Sequence, residues 1–265
     1  FTHSQLRFEY QPSVVLSAVT PSLGPISGST VLAISGSGFI SSSAIACRFT
    51  EDATNITAAV PARFISPNLI HCRSPVVLSA AAAGPYWLDV TNNGLDYSSV
   101  QNRLSFAYTR VVVLHSILPR SGPAAGRTPV LIIGQNFDAA STAAVTCRFG
   151  TRSVPATVIN DTALLCVSPS QPLLLSSASA AASASASALS VLVEVSINGI
   201  DYVNGTDTTT DAAITFLYEL AAQSLIVRPH AGPTTGGTRV NITGLHISTA
   251  APAATGQPIP ALAAV

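Results

Sequence analysis

Several stretches of the chain alternate apolar and polar residues with a period of two, the pattern of a half-buried β-strand. In "LSVLVEVSING" (189–199), every second residue from Val191 to Ile197 is β-branched and lies on one face, whereas Glu194 and Ser196 lie on the other. Clusters of Gly, Pro, Asn and Ser separate such stretches, and few segments show helical periodicity. The pattern predicts an all-β chain built from β-sandwiches.

The same pattern recurs earlier in "YWLDV" (86–90), where Leu88 and Val90 take the inward positions. Asn-Gly pairs follow both strands, at 93–94 and 198–199. Asn-Gly suits the centre of a type I′ turn, in which φ is positive at both central residues, so we expect a tight hairpin at each pair. The residues that follow, "LDY" and "IDY", are expected to begin the returning strands.

A ten-residue frame, P-x-x-G-P-x-x-G-x-T, occurs three times and organises the chain. Its copies are "PSLGPISGST" (21–30), "PRSGPAAGRT" (119–128) and "PHAGPTTGGT" (229–238), which start 98 and then 110 residues apart. These offsets match the size of a complete small domain and are too long for a solenoid repeat. We call the three segments the opening turns, because an apolar strand follows each of them.

The similarity between the copies continues after the opening turns. Each full copy has two cysteine segments, an Asn-Gly pair and a closing aromatic strand: "CRFT" (47–50) and "CRFG" (147–150), "LIHCRSP" (69–75) and "LLCVSP" (164–169), "NGLDY" (93–97) and "NGIDY" (198–202), "LSFAY" (104–108) and "ITFLY" (214–218). We therefore divide the chain into four parts: the last strand of a preceding repeat (1–10), a first unit (11–109), a second unit (110–220) with an Ala/Ser-rich insertion (171–189), and the start of an incomplete third repeat (221–265).

Taken in order, these elements resemble the IPT/TIG domain family. The resemblance rests on five features in chain order: the opening turn, a strand ending in G-x-x-F, a Cys-x-Phe, a later Cys-x-x-Pro and the Asn-Gly pair. Such domains are immunoglobulin-like sandwiches of plexins, fibrocystin-like surface proteins, growth-factor receptors and some transcription factors. The third repeat departs from the pattern, since "GLHI" (244–247) runs on without reaching a cysteine segment. The resemblance implies tandem immunoglobulin-like β-sandwiches of the IPT/TIG type.

Composition excludes several classes of function. Charged residues make up 9% of the chain and the formal net charge is +0, so the chain lacks the concentrated basic face that nucleic acid needs. All basic residues are arginine and methionine is absent. This Ala- and Ser-rich style resembles that of green-algal extracellular proteins. The mean hydropathy is +0.45, but the uncharged segment 162–193 is largely Ser alternating with Ala, so we expect no membrane span.

The glycines and hydroxyls of the opening turns suggest a phosphate-binding loop as one interpretation. That loop requires a lysine before its final Ser or Thr, where this chain has Ser29, Arg127 or Gly237. The opening turns also precede strands, and not the helix N-terminus whose amides would hold a phosphate. We interpret them as stiff structural turns, in which proline fixes φ and glycine permits positive φ.

The cysteines occupy equivalent places in the two units. Cys47 and Cys72 are 25 positions apart, and Cys147 and Cys166 are 19 apart. We predict one disulfide within each unit, Cys47–Cys72 and Cys147–Cys166. The alternative is four buried free thiols in a cytosolic protein. No C-x-x-C is present, so a zinc site or a redox motif has little support.

Four N-x-T sequons accompany the even cysteine count, and together they favour a secreted or cell-surface chain. The N-glycosylation candidates are Asn55, Asn160, Asn204 and Asn241. Asn241 lies between the inward positions 240 and 242 of its strand, so its side chain is expected to point outward. The insertion at 171–189 is expected to be a mobile loop that offers sites for O-glycans.

The sequence shows no catalytic constellation, cofactor site or metal site. None of the five histidines recurs at an equivalent position, and no G-x-S-x-G elbow is present. Asp96 and Asp201 follow the Asn-Gly pairs and are conceivable calcium ligands. Calcium gathers several oxygen ligands, however, and the chain has no D-x-D-x-D run, so we interpret both as turn carboxylates.

Aromatic residues divide between core and surface. Phe39 and Phe137 follow the G-x-x-F strand ends in both units, which favours core packing. Trp87 alternates out of phase with Leu88 and Val90, so it is expected to face outward. Trp87 is therefore the candidate contact residue for a partner.

These observations favour a non-catalytic structural or adhesive segment of a large secreted or cell-surface glycoprotein. The expected form is a semi-rigid rod or filament of the flagellar-surface or cell-wall type, because the link "FAYTRVVVLHSILP" (106–119) contains no flexible Gly/Ser linker. Its partners would be other protein chains, either copies of itself or a filament or wall protein. The alternatives are the ectodomain stalk of a plexin-like or fibrocystin-like receptor and an accessory module of a secreted carbohydrate-active enzyme.

Overall fold

The computed structural model describes residues 10–77, 83–98, 100–137, 145–171, 189–219 and 223–245. Apart from one 3₁₀ turn at Val100–Asn102, the regular secondary structure of the described residues is all β-strand, and the predicted all-β fold class is confirmed. The first unit contains eight strands: β1 (Val15–Thr20), β2 (Leu23–Pro25), β3 (Val31–Ser37), β4 (Ala46–Glu51), β5 (Thr57–Ser66), β6 (Leu69–Arg73), β7 (Gly84–Thr91) and β8 (Leu104–Thr109).

The strands of the first unit form two layers that share β5. One layer has the order β1-β3-β6-β5, and the other has the order β5-β4-β7-β8-β2. All neighbours are antiparallel except β2, which lies in the opening turn and pairs in parallel with β8. Two layers that enclose one apolar core make this unit a β-sandwich.

The second unit repeats this arrangement. Its strands are β9 (Val113–Leu118), β10 (Ser121–Pro123), β11 (Pro129–Gln135), β12 (Thr146–Phe149), β13 (Arg152–Asn160), β14 (Ala163–Val167), β15 (Leu189–Ser196), β16 (Val203–Asn204) and β17 (Thr215–Glu219). The layers are β9-β11-β14-β13 and β13-β12-β15-β17-β10, with β16 beside β15. The opening-turn strand β10 again pairs in parallel with the closing strand β17.

A proline marks the point where the shared strand changes layers in each unit. In β5 the residues up to Pro61 pair with β4, and the residues from Ala62 onward pair with β6. In β13 the same change occurs between Pro155 and Ala156. Proline has no N–H to donate to a ladder, so it is tolerated where a strand leaves one partner for another.

Each core is built on aromatic residues from the cysteine segment and the closing strand. In the first unit Phe106 packs edge-on against Phe49 and Tyr108, with ring centroids 5.7 and 5.1 Å apart. In the second unit Phe216 packs in the same way against Phe149 and Tyr218, at 5.5 and 5.0 Å. The alternation predicts Leu88 and Val90 as inward, and both are buried. Phe39 and Phe137, predicted as core residues from the G-x-x-F strand ends, are buried as well, so these predictions are confirmed.

One disulfide joins the two layers of each sandwich. Cys47 on β4 is bonded to Cys72 on β6, and Cys147 on β12 is bonded to Cys166 on β14. The paired Cα atoms are 6.5 and 6.4 Å apart, and all four side chains are buried. The structure thus contains the two pairs that the repeat predicts, and each pair ties one layer to the other through the core.

The part of the chain after the second unit contributes one antiparallel pair, β18 (Gln223–Arg228) and β19 (Asn241–Leu245). These strands flank the third opening turn, just as β1 and β3 flank the first. Ile242, however, is 57% exposed, whereas the equivalent Ile34 and Ile132 are buried. Among the described residues no second layer covers this pair, so the inward orientation expected for position 242 stays a prediction.

Two expectations concern segments outside the described residues. The last strand of a preceding repeat, predicted within 1–10, is described only at Tyr10, which is exposed. The insertion predicted at 171–189 is described only at Gln171 and Leu189.

Candidate functional site at the junction of the units

The opening turns of the first and second units are hydrogen-bonded to the end of the second cysteine segment in the same unit. In the first unit, Thr30 N donates to Ser74 Oγ at 3.1 Å, and Ser74 N donates back to the Thr30 carbonyl at 2.9 Å. In the second unit, Thr128 and Ser168 make the same two bonds at 3.1 and 2.8 Å. These main-chain donors bind the protein itself, so they are not free to hold an anion, and the structural interpretation of the turns is favoured.

A glycine is required where each opening turn meets that segment. Gly28 has a φ of +69°, and a Cβ added there would come within 2.7 Å of the Pro75 main chain. Gly126, with a φ of +77°, is equally close to Pro169. The tyrosine of the closing strand completes the contact, because Tyr218 Oη donates to the Pro169 carbonyl at 2.9 Å. Burial raises the pKa of Tyr218 to about 12, so its hydroxyl remains a donor at neutral pH.

The Asn-Gly segments are not type I′ hairpins, and that prediction is wrong. Gly94 and Gly199 have positive φ, but neither asparagine does. Each asparagine instead uses its side chain: Asn93 Oδ1 accepts the N–H groups of residues 95 and 96, and Asn198 Oδ1 accepts those of residues 200 and 201, all at 2.9–3.0 Å. Such side-chain bonds to the local main chain compete with the primed turn.

The expected return after each Asn-Gly pair takes two different forms. In the first unit Tyr97 forms a single bridge with Thr91. In the second unit the return begins at Val203, in β16, which pairs with Val195 of β15. We call the segments 93–96 and 198–201 the Asn-Gly turns.

An aspartate closes each Asn-Gly turn. Asn93 Nδ2 donates to Asp96 Oδ2, and Asn198 Nδ2 donates to Asp201 Oδ2, at 2.8 Å in both cases. These carboxylates are therefore turn residues, as the sequence suggests. Among the described residues, no group of three or more His, Cys, Asp or Glu side chains converges in a way that could hold a metal.

An arginine of the first cysteine segment holds each Asn-Gly turn against the sheet. The guanidinium carbon of Arg48 lies 3.8 Å from the centroid of the Tyr97 ring, and that of Arg148 lies 3.9 Å from the Tyr202 ring. A cation above an aromatic ring is attracted by the negative face of the ring. These arginines were not predicted from the sequence, although C-R-F and N-G-x-D-Y recur in both units and could have indicated them.

A carboxylate fixes each of these arginines from the other side. Arg48 Nη2 is 2.9 Å from Asp89, and Arg148 Nε is 2.7 Å from Glu194. Asp89 is fully buried and also binds Arg103 at 3.0 Å. The side chains that support the Asn-Gly turns are therefore held in one orientation before any partner binds.

The Asn-Gly turn of the second unit contacts the opening turn of the first unit. Thr30 Oγ1 donates to Asp201 Oδ2 at 2.6 Å, and Asn198 Nδ2 donates to the Leu23 carbonyl at 3.1 Å. The Leu23 side chain is buried in the apolar cluster of the second unit, together with Val112. We call this set of contacts the junction contact. It combines an apolar anchor with two hydrogen bonds, one of them to a carboxylate.

The remaining predicted site residues lie away from the junction contact. Trp87 is half-buried on the face of β7 opposite Leu88, and its Nε1 donates to Asp52 Oδ1 at 2.6 Å. Its role as a contact residue stays a prediction. The four sequon asparagines, Asn55, Asn160, Asn204 and Asn241, are all exposed. In the described part of the chain, no helix is long and apolar enough to span a membrane.

The match to a family model agrees with this architecture. The family model of the IPT/TIG domain matches residues 14–108 and 113–215. Plexin-A2 from Mus musculus is 33% identical over 171 residues, and Plexin-A2 from Homo sapiens is 32% identical over 171 residues; each match covers 64% of this chain and 8% of the relative. A solved structure of the full plexin A4 extracellular region is 17% identical, with a TM-score of 0.44, over 83% of this chain and 18% of that one.

The chain thus spans 8% of the length of the curated relatives that it matches. The family model, in contrast, matches both sandwiches in chain order, and its two matches cover most of the chain. Both sandwiches also carry the opening turn, the disulfide and the closing aromatic strand at equivalent positions. On these grounds the chain belongs to the IPT/TIG domain family.

Proposed function

We propose that this chain is a non-catalytic section of the extracellular part of a cell-surface protein, in which tandem IPT/TIG domains form a semi-rigid stalk. The observation that carries the proposal is the junction contact. Leu23 of the first unit is buried in the second, and Thr30 and Asn198 add hydrogen bonds across the boundary. A stalk requires neighbouring domains to keep a fixed angle, and a packed boundary restricts that angle where an open linker would not.

The size of the contact supports a preferred orientation over free rotation. Burying a leucine side chain contributes about 1.5–3 kcal/mol. A hydrogen bond to a charged group contributes about 1.5–3 kcal/mol more. Val112, in the link between the units, is itself buried, so the connecting backbone is also fixed.

An extracellular location is supported by the cysteines and the sequons together. Structural disulfides persist in oxidising compartments and are rare in the cytosol, and both units contain one. The four sequon asparagines are exposed, as glycan attachment requires. The relatives named Plexin-A2 favour the stalk of a plexin-like receptor over the filament.

The partners of the stalk are proposed to be other protein chains, with N- and O-glycans on the surface of the stalk. The flagellar-surface or cell-wall filament and the copy-to-copy contacts stay predictions from the sequence. Native protein would test the extracellular part directly. We expect its mass to fall after enzymatic removal of N-glycans and its electrophoretic mobility to change on reduction. Absence of both changes would contradict it.

The hydrogen bond between Thr30 and Asp201 provides a direct test of the junction contact. We expect Thr30→Val to lower the free energy of unfolding by about 1.5–3 kcal/mol, because it removes a buried hydroxyl bonded to a carboxylate and keeps the shape of the side chain. Urea unfolding of the whole chain, followed by circular dichroism, measures the change.

Thr128→Val is the matched control for this substitution. Thr128 has the same main-chain bonds to Ser168, but its hydroxyl has no hydrogen-bond partner among the described residues. We expect a change within about 0.5 kcal/mol, as for a substitution that removes no buried contact. A double-mutant cycle of Thr30→Val with Asp201→Ala should give a coupling of about 0.5–3 kcal/mol. A coupling of zero would show that the two side chains do not interact.

A further inference from the structure

The Asn-Gly turn of the first unit (93–96) has the same internal structure as the Asn-Gly turn of the second unit (198–201), which takes part in the junction contact. Asn93 Oδ1 accepts the N–H groups of Leu95 and Asp96, and Asn93 Nδ2 donates to Asp96 Oδ2. The distances are 3.0, 2.9 and 2.8 Å, the same as in the second turn. The cation–π support is also the same, with Arg48 above Tyr97.

The two turns differ in what covers them. Asn198 and Asp201 are partly buried by the first unit, whereas Asn93 and Asp96 are exposed. Leu95, at the tip of the first turn, is 83% exposed, against 48% for the equivalent Ile200. No residue in the described part of the chain contacts the first turn as Leu23 and Thr30 contact the second. The first unit thus carries a turn with the same internal structure that the described part of the chain leaves uncovered.

We infer that the Asn93–Asp96 turn is the docking site for the opening turn of another IPT/TIG domain, placed before β1 as the first unit is placed before β9. This inference rests on the proposed stalk function. The chemistry of the partner is given by the junction contact. A threonine hydroxyl donates to Asp96 Oδ2, a main-chain carbonyl accepts from Asn93 Nδ2, and an apolar side chain equivalent to Leu23 packs beside Val14.

The second unit also has the threonine hydroxyl that would donate in such a contact. Its opening turn holds Thr128 in the place of Thr30, and the Thr128 hydroxyl has no hydrogen-bond partner among the described residues. Thr128 is partly exposed, whereas Thr30 is fully buried. Each unit therefore has an acceptor turn at one end and a donor turn at the other. Units of this kind join in one direction, with the opening turn of each on the Asn-Gly turn of the next.

The first unit anchors the contact more firmly than the second would. Leu23, which enters the neighbouring core, is replaced in the second unit by Ser121. A domain that docks on the Asn93–Asp96 turn should therefore bind more tightly when it has a leucine at that position, because burial of apolar surface adds to the two polar bonds.

A cation is a weaker candidate for this turn. Asp96 is the only carboxylate in it, and Asn93 Nδ2 directs a donor to the same side. Calcium collects six to eight oxygen ligands. Among the described residues, no cluster of His, Cys, Asp and Glu side chains provides them.

The test replaces residues 1–13 of the chain with a second copy of residues 14–111, so that Val111 of the copy is joined directly to Val14 of the original first unit. The side-chain amide of asparagine is the reporter, read by NMR as its hydrogen exchange with water. In the chain as it stands, the Asn93 amide proton that does not bond Asp96 is expected to exchange about tenfold faster than the Asn198 proton that bonds Leu23. In the lengthened chain, the exchange rate of Asn93 in the original first unit should become similar to that of Asn198.

Thr30→Val in the added copy alone should restore part of the fast exchange at Asn93, and Thr128→Val should leave it unchanged. If Asn93 stays fast in the lengthened chain while Asn198 is slow, the docking inference is wrong and the stalk proposal stands. Fast exchange at both asparagines would instead contradict the junction contact itself. Should the added copy not fold, a copy of residues 112–221, which presents Thr128 and Ser121, tests the same turn with the polar contacts alone.

Discussion

Replacing Phe216 with alanine is expected to lower the free energy of unfolding of the second unit by about 3–5 kcal/mol. Phe216 is fully buried and packs edge-on against Phe149 and Tyr218. It also supports the opening turn, because a Cβ added to Gly122 would lie 2.9 Å from Phe216 Cζ. The substitution therefore leaves a cavity in the core and removes the surface on which the opening turn packs.

Urea unfolding followed by NMR signals of the second unit measures this loss. Ile159→Ala is the control, since Ile159 lies in the same unit but is 54% exposed, and we expect a change within about 0.5 kcal/mol. A loss below about 1 kcal/mol for Phe216→Ala would mean that the aromatic cluster is not the centre of this core.

Replacing both Cys147 and Cys166 with alanine is expected to cost about 3 kcal/mol in the second unit. The bond closes a loop with a sequence separation of 19 residues, and its loss increases the entropy of the unfolded chain. Both cysteines are buried between the layers, so the double substitution also removes a packed link within the core. Replacing both residues avoids a free thiol that could form other bonds.

The equivalent double substitution of Cys47 and Cys72 is the matched comparison. It should destabilise the first unit by a similar amount, because its loop has a sequence separation of 25 residues. Thermal unfolding of the two variants, each with and without reductant, separates the effects. An unfolding midpoint equal to that of the unmodified oxidised chain would contradict a stabilising role for the bond.

The repeat made much of each unit predictable from the sequence. Two copies of one pattern reveal which residues are equivalent, so Cys47 and Cys147 could be assigned the same role, as could Phe39 and Phe137. Alternation of apolar residues then gave the inward face of β7 and β15, because strand side chains alternate between faces. The alternation along a strand depends on neighbouring residues and on which face is buried, so it can be read from the sequence.

The Asn-Gly turns were not predicted correctly, because two local tendencies compete at Asn93 and Asn198. Asn-Gly favours a type I′ turn, but an asparagine oxygen also accepts main-chain N–H groups two and three residues on. In this fold the side-chain bonds prevail, helped by Asp96 and Asp201, which bind the asparagine amide groups. The aspartate three positions after each asparagine was the available signal.

The junction contact was not accessible to sequence analysis for a different reason. Thr30 and Asp201 are 171 positions apart and belong to different units. A repeat pattern compares equivalent residues, and it does not indicate that the opening turn of one unit meets the Asn-Gly turn of the next. That relation depends on how the two sandwiches meet, where Leu23 and Val112 are buried in one apolar cluster.

The stalk proposal requires the junction contact to fix the angle between the two units. Residual dipolar couplings of backbone amides, measured for β1–β8 and β9–β17 in one partially aligned sample of the whole chain, test it most directly. We expect both sets to fit a single alignment tensor, and we expect Thr30→Val combined with Leu23→Ala to make the two tensors differ in magnitude. Two tensors of different magnitude in the unmodified chain would contradict it.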